Sequence, residues 1–249
     1  MPSNENQTNL TKAKLELDEY GYVILPDLIP GDTALDMAEL LMEIERRRQL
    51  PDSLNQHLSS LFNHLKPEEF EIFLPLITHP IVLELAQYKL GDGMQLVGSD
   101  VKWTPPGSPE SGIHADVPLG WFAEAGLPTP GNICFLVQCN WMLTDFTAEN
   151  GATELLPLSH LMEAPNMWVG DDGEPRHMND RVRRLRKELE SGDPMGHLVA
   201  AEGNAGSAVV FLGAMWHRAG ANVTTNQNRV GVLTPYHARW IEPRYGLGL

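Results

Sequence analysis

The sequence predicts a mainly β fold with N-terminal helices, an all-β core that carries a helical layer from the first third of the chain. Three observations predict it. Apolar residues up to Leu90 mostly keep helical spacing, whereas from Met94 onward short β-rich runs alternate with Pro- and Gly-containing connectors. A chain of 249 residues is also of a length at which all-β barrels and sandwiches are commonly single units. One domain over residues 1–249 is therefore expected, and 42% hydrophobic with 20% charged residues is the composition of a folded chain.

Taken in order, residues 1–14 are polar and expected to be flexible. Alternation over residues 15–28 leads into a short strand at YVIL, ended by Pro26. Asp32 reads as the N-cap of a helix in which Leu35, Ala38, Leu41, Met42 and Glu45 keep helical spacing until Pro51. Further helices are expected over residues 54–65 and 81–90, the second stopped by Gly91. The runs MQLVGSDVKW, NICFLVQCNWML, ATELLP, SAVVFL and RVGVLTPYHARW then read as strands. Between the third and fourth lies a polar, charged segment, residues 160–203, with one helix of its own. Its length and composition suit a lid-like insert.

Charge excludes some partners. Acidic residues outnumber basic ones 33 to 18, for a net charge of -15, so the mean surface potential repels phosphate backbones and anionic membranes. The basic cluster Arg181, Arg183, Arg184, Arg186 and Lys187 is followed by Glu188 and Glu190 and reads as a solvated helix face. No apolar run approaches the roughly 20 residues that span a bilayer, and the first residues hold no apolar signal core. Cys134 and Cys139, five apart in one apolar run, would point to opposite faces of a strand and read as buried thiols of a reducing compartment. The expected protein is cytoplasmic, with a small-molecule substrate, no nucleic acid and no membrane, and compatible with a homo-oligomer.

The chemistry-bearing stretch is GIHADVP, residues 112–118. In a strand, His114 and Asp116 project from one face about 6–7 Å apart and can converge on one ion. The pair alone is weak, because a solvated strand face gives the same pattern. His217, shortly after SAVVFL at the end of GAMWH, supplies a third donor, and two histidines with one carboxylate are the facial triad of non-haem Fe(II), which leaves three positions open. Arg229, twelve residues further on, can pair bidentately with a carboxylate beside the metal, although spacing leaves a surface arginine equally open.

Several motifs in order resemble the phytanoyl-CoA dioxygenase (PhyH) family of Fe(II)/2-oxoglutarate-dependent oxygenases along nearly the whole chain. GYVILPDLIPGDTALDMAELL resembles its opening strand and helix, and THPIVLELAQYKLGDGMQL the segment after it. KWTPPGSPESGIHADVP resembles the approach to the first two ligands, and WMLTDFTAENGATELLPLSH the signature that follows. GSAVVFLGAMWHRAGANVTTNQNRVGVLTPYHARW resembles the segment with the distal histidine and the cosubstrate arginine. The resemblance implies a double-stranded β-helix, a jelly-roll or cupin-like barrel flanked by helices. Carried over by position, His114, Asp116 and His217 bind iron, Arg229 binds the 2-oxoglutarate C5 carboxylate, and Thr153 places its hydroxyl beside that carboxylate.

The chain departs from the family at two places. Ser111 occupies the position, three before the first ligand, where many members have a glutamine that touches the cosubstrate. Leu158 replaces the glycine of the usual PGSH. Lys102 reads as a plain surface lysine, although some relatives make cosubstrate or substrate contacts there. Asn222 is expected near the distal histidine. Trp216 and Trp141 read as core before site wall, His160 as a turn residue near the site, and His177 and His197 as exposed. His237 is a strand residue whose facing is left open.

The resemblance further implies a dioxygenase that, with Fe(II), 2-oxoglutarate and O2, oxidises a substrate C–H bond and releases succinate and CO2. Hydroxylation, desaturation and rearrangement all occur in the family. Halogenating relatives replace the ligand carboxylate with a small residue, so Asp116 argues for oxygenation. Trp121, Phe122, Met167 and Trp168 offer apolar surface to a small organic molecule. A natural-product intermediate is preferred to an acyl-CoA, since no basic cluster suggests a phosphate site. Two alternatives stand beside this: a metal-binding cupin-like enzyme that does not use 2-oxoglutarate, and a catalytically silent ligand-binding or partner barrel.

Overall fold

The structure is a computed structural model that describes residues 4–48, 57–116, 133–157, 159–161 and 198–241. Its elements, in order, are α1 (Asn4–Tyr20), β1 (Tyr22–Leu25), α2 (Gly31–Arg48), β2 (His57–Leu58), α3 (Pro67–Phe73), α4 (Pro75–Thr78), α5 (Pro80–Leu90), β3 (Gln95–Leu96), β4 (Asp100–Thr104), β5 (Leu136–Met142), β6 (Thr153–Leu155), β7 (Val199–Ala200), β8 (Ala208–Leu212), β9 (His217–Ala219) and β10 (Arg229–His237). Short 3-10 turns lie at Leu61–His64 and Ser159–Leu161. Helices therefore precede a β core, as the sequence predicts. Among the described residues, no helix is long and apolar enough to cross a membrane.

The strands form two sheets. The larger runs β1-β8-β5-β10-β4-β2, with β3 also paired to β10; the smaller runs β7-β6-β9. Side chains from the two sheets meet between them: Phe211 of β8 lies 4.7 Å, ring to ring, from His217 of β9, and Asn140 of β5 bonds to Thr153 of β6. Two facing antiparallel sheets with helices on one side are the double-stranded β-helix arrangement expected.

All seven residues of β5 are buried, but its two faces are buried by different things. Val137, Cys139 and Trp141 point toward the helices, where Trp141 Nε1 donates to Leu76 O at 2.9 Å. The apolar core gathers there: Leu17, Met37, Leu41, Phe73 and Leu85 from the helices pack with Val101, Trp103, Val210, Val230 and Val232 from the strands. Each such large side chain contributes about 1.5–3 kcal/mol on burial. Gln138, Asn140 and Met142 point the other way, between the sheets. In register with them on β10 are Pro235, Leu233 and Gly231. The inner face is thus partly polar, and it is the face that carries the site.

Three local expectations need correction. Residues 4–14, expected to be flexible, belong to α1; Ala13 and Leu17 are buried and Leu10 packs beside them, a helical spacing masked by the polar composition. The helix expected over 54–65 is, over its described part, β2 followed by a 3-10 turn. Pairing of His57 with Lys102 and Leu58 with Val101, and the Asp100 carboxylate accepting the Ser60 N–H at 2.9 Å, extend the edge of β4 and override local helical spacing. Helix α2 begins at Gly31, so Asp32 lies in its first turn, where its carboxylate favours the helix N-terminus. Gly91 does stop α5: at φ 77° its N–H closes on Gln87 O at 2.8 Å.

Candidate metal centre

His114 and His217 come from segments a hundred residues apart that meet as one antiparallel bridge: the N–H of each donates to the carbonyl of the other, at 3.0 and 2.9 Å. Directly opposed residues put their side chains on one face, and the two imidazole centroids lie 4.3 Å apart. His114 makes a single bridge rather than sitting within a strand. Asp116 is anchored separately, its N–H donating to Gly213 O at 2.9 Å, in the tight turn that leads from β8 toward β9. The first ligand pair is therefore held by the strand ends that deliver the third.

The three side chains converge. Asp116 Oδ1 lies 3.8 Å from His114 Nε2, and Asp116 Oδ2 lies 3.6 Å from His217 Nε2. One donor atom from each of the three falls within 4.8 Å of the others. Atoms bonded to one first-row ion through bonds of about 2.1 Å would have separations of this order. Each Nδ1 is already engaged: that of His114 with Gly112 O at 2.9 Å, that of His217 with Met215 O at 3.0 Å. A carbonyl can only accept, so both rings carry hydrogen on Nδ1 and turn the Nε2 lone pair inward, the tautomer a metal ligand needs. Burial lowers the His217 pKa, with His114 adding to this and Asp116 opposing it, which favours the neutral, ligating form.

A second feature lies at the opposite end of the inner face. Arg229, first residue of β10, is 4% exposed. Its guanidinium stands 4.6 Å from the Phe146 ring centroid and donates through Nη2 to Thr104 Oγ1, directly across from it on β4. Nε is buried without a partner, and no carboxylate among the described residues pairs with the group. Burial pulls its pKa down to about 10. A buried cation lacking a counter-charge is costly, and a bound carboxylate is the natural complement. The residues present thus fit a divalent metal at the triad and, separately, a carboxylate at Arg229.

Other sequence candidates fall around these two points. Thr153 is buried on the inner face of β6. Ser111 Oγ accepts the Ala219 N–H at 2.9 Å and its own N–H donates to Ala219 O, so it braces β9 two residues from His217. Lys102, read as a plain surface lysine, is instead half-buried on the inner face of β4. Burial lowers its pKa, nearby Arg229 acts in the same direction, and Asp100 and Asp116 oppose it. Asn222 bonds to Thr104 O and Gln227 O, each at 2.7 Å, so it clamps the Arg229 end rather than the distal histidine.

Ser159 Oγ accepts the Trp216 N–H at 2.8 Å, which ties the turn at residues 159–161 to the residue before His217. His237 faces inward near Asp116; burial lowers its pKa, and Asp116 opposes the shift. Cys139 is buried and Cys134 partly so, both as free thiols. Trp121, Phe122, Leu158, Met167, Trp168, His177, His197 and the basic cluster at 181–187 lie outside the described residues, as does most of the 160–203 insert. Sequence reading missed Thr104, Phe146, Gln138 and Asn140. The last two had a legible signal, polar residues at alternate positions of an otherwise apolar strand.

The chain is similar to known proteins along most of its length. The family model described as Phytanoyl-CoA dioxygenase (PhyH) matches residues 17–231. The chain is 26% identical over 241 residues to dioxygenase af480 of Aspergillus fumigatus, covering 94% of this chain and 69% of that protein. It is 28% identical over 227 residues to the Fe(II)/2-oxoglutarate-dependent dioxygenase nvfF of Aspergillus novofumigatus, covering 86% and 61%. Among solved structures, the epimerase SnoN in complex with Fe3+, alpha ketoglutarate and nogalamycin RO shares the fold, with a TM-score of 0.61 at 20% identity over 93% of this chain and 84% of that one.

Proposed function

Because the chain belongs to the phytanoyl-CoA dioxygenase (PhyH) family, we propose that it is a non-haem Fe(II)/2-oxoglutarate-dependent dioxygenase acting on a small organic molecule. The observation that carries the proposal is the convergence of His114, Asp116 and His217, with both imidazoles held in the ligating tautomer by main-chain carbonyls. In this reading the three side chains hold Fe(II), Arg229 binds the distal carboxylate of 2-oxoglutarate, and the Thr153 hydroxyl lies beside it. Iron, 2-oxoglutarate and O2 together supply the oxidising equivalent for a substrate C–H bond, by hydroxylation, desaturation or rearrangement, and the co-products are succinate and CO2.

The chain's own contribution is placement. The apolar wall formed by Phe211 against His217 limits water at the distal ligand, and Phe146 does the same beside Arg229. Charge-assisted bonds from a buried guanidinium to a carboxylate contribute about 1.5–3 kcal/mol each. Such bonds fix the cosubstrate's far end, so that its other end is presented to the metal in one orientation. A buried Arg229 with no carboxylate partner among the described residues weighs against a cupin-like enzyme without a dicarboxylate, and the intact donor set against a silent barrel. A natural-product intermediate is the substrate class we favour, approached through the loop containing Trp121 and Phe122 and through the 160–203 insert with Trp168, within a single catalytic domain.

The test is an anaerobic titration of Fe(II)-loaded protein with 2-oxoglutarate, followed by aerobic measurement of succinate with a substrate panel. Growth of a visible charge-transfer band on adding 2-oxoglutarate, and succinate above background, are expected. Absence of both would overturn the reading.

A further inference from the structure

A buried polar chain crosses from the large sheet to the small one, and neither the metal triad nor Arg229 uses it. Gln138 and Asn140 occupy alternate positions of β5, so both side chains lie on its inner face. Gln138 Nε2 donates to Asn140 Oδ1 at 2.9 Å, and Asn140 Nδ2 donates to Thr153 Oγ1 at 3.3 Å. All three residues are buried. A buried amide pair in an otherwise apolar strand is a costly way to join two sheets, because every group in it needs a partner.

The direction of these bonds has chemical content. A threonine hydroxyl has one proton and two lone pairs, and a carboxylate can only accept. With Asn140 Nδ2 on one lone pair, the Thr153 proton must go elsewhere, and no acceptor among the described residues takes it. Were both amides turned over, Asn140 would offer its carbonyl, capture that proton and leave only a lone pair facing an incoming carboxylate. In the orientation observed, the Gln138 N–H occupies Asn140 Oδ1 and leaves Asn140 Nδ2 to face Thr153. Thr104 is arranged the same way: its oxygen accepts from Arg229 Nη2, which leaves its proton to donate. The two threonines belong to adjoining segments, for a Cβ on Gly151 would come within 3.1 Å of Thr104 Cγ2.

We propose that Gln138 and Asn140 are positioning residues that hold the Thr153 hydroxyl as a hydrogen-bond donor toward the distal carboxylate of the dicarboxylate bound by Arg229. The inference rests on the 2-oxoglutarate reading above. It assigns to β5 a role in cosubstrate affinity without contact with the metal.

The experiment measures 2-oxoglutarate and Fe(II) dissociation constants, by anaerobic calorimetry on the full-length protein, for Asn140→Ala, Gln138→Leu, Thr153→Val, Thr153→Ser and the double Asn140→Ala/Thr153→Val. Thr153→Val and Asn140→Ala should each weaken 2-oxoglutarate binding about tenfold, the loss of one charge-assisted bond. The double variant should bind no more weakly than Thr153→Val, since Asn140 acts through Thr153. Gln138→Leu should follow in the same direction with a smaller loss, Thr153→Ser should keep near-native affinity, and Fe(II) affinity should stay constant throughout. Unchanged 2-oxoglutarate affinity in Asn140→Ala overturns the proposal, as does a double-variant loss equal to the product of the two singles. If Asn140→Ala fails to fold, Gln138→Leu decides, and unchanged affinity in it is equally fatal. Arg229→Ala separates the levels: if it abolishes 2-oxoglutarate binding while the Asn140 and Gln138 variants bind normally, only this inference fails. A wild-type protein that does not bind 2-oxoglutarate removes the reading beneath it.

Discussion

The two ends of β10 place their inner-face residues in opposite environments. At one end Arg229 is sealed, stacked on Phe146 and bonded to Thr104, with no carboxylate among the described residues to neutralise it. At the other, Leu233, Pro235 and His237 are only partly buried, and His237 lies within electrostatic reach of Asp116. The closed end holds a charge with no counter-charge among the described residues, which a bound anion would compensate; the open end holds two imidazoles and a carboxylate that a metal can join. In the proposed reading, a cosubstrate anchored at the first end and finished at the second would be read along its whole length, with the open end left to substrate and O2.

The largest expected effect breaks the open end. His217→Ala should reduce Fe(II) affinity at least about 100-fold and abolish succinate formation, because the ring also sets the distance to Asp116; metal content after gel filtration reads this out. Next comes the closed end. Arg229→Met should weaken 2-oxoglutarate binding by about 100-fold or more with Fe(II) content nearly unchanged, while the apoprotein melts at a higher temperature than wild type, since an apolar side chain in place of a buried cation that no described carboxylate pairs with removes a desolvation cost. Loss of metal in equal measure would mean that the two ends are not separable. Phe146→Leu should cost about 1 kcal/mol of 2-oxoglutarate binding, the size of a cation–π contact, measured by calorimetry.

A pH series sharpens the contrast further. His79, His160, His217 and His237 all have pKa values lowered from 6.5, burial being the leading cause in each. A histidine whose folded pKa is depressed binds its proton first in the unfolded chain, so stability is fully present above about pH 6.5 and is lost as pH falls below it. The apoprotein melting temperature should drop from pH 7 toward pH 5, and Fe(II) binding, which needs neutral imidazoles, should weaken in the same direction. The smallest effect is expected from Ser111→Ala, which removes one bond to the Ala219 N–H and should cost about 1 kcal/mol of stability, seen by thermal melting, with little change in 2-oxoglutarate affinity.

Much of this was legible in the linear chain. The β-rich runs after Met94 correspond to β3, β4, β5, β6, β8 and β10, whereas the two short strands β7 and β9 lie outside them; His114, Asp116 and His217 were identifiable by residue type and order. What was misread was decided by distant partners. Residues 57–65 form an edge strand and a turn because β4 offers unpaired main-chain groups there, and α1 extends through a polar stretch because Ala13 and Leu17 have a core to pack on. Lys102 reads as a surface residue in the sequence because nothing in its own neighbourhood reports which face of β4 turns inward.

By itself, then, the sequence determined most of the longer elements, the donor set and the presence of a cation suited to a carboxylate, because these depend on residue chemistry and local periodicity. Only the tertiary structure decided that His114 and His217 meet as a backbone bridge, that Arg229 is buried with no counter-charge among the described residues, and that Gln138 and Asn140 lie on the face of β5 turned to Thr153 rather than to the helices. Register and burial are long-range properties: slipping a strand by one residue exchanges its two faces without altering a single local preference.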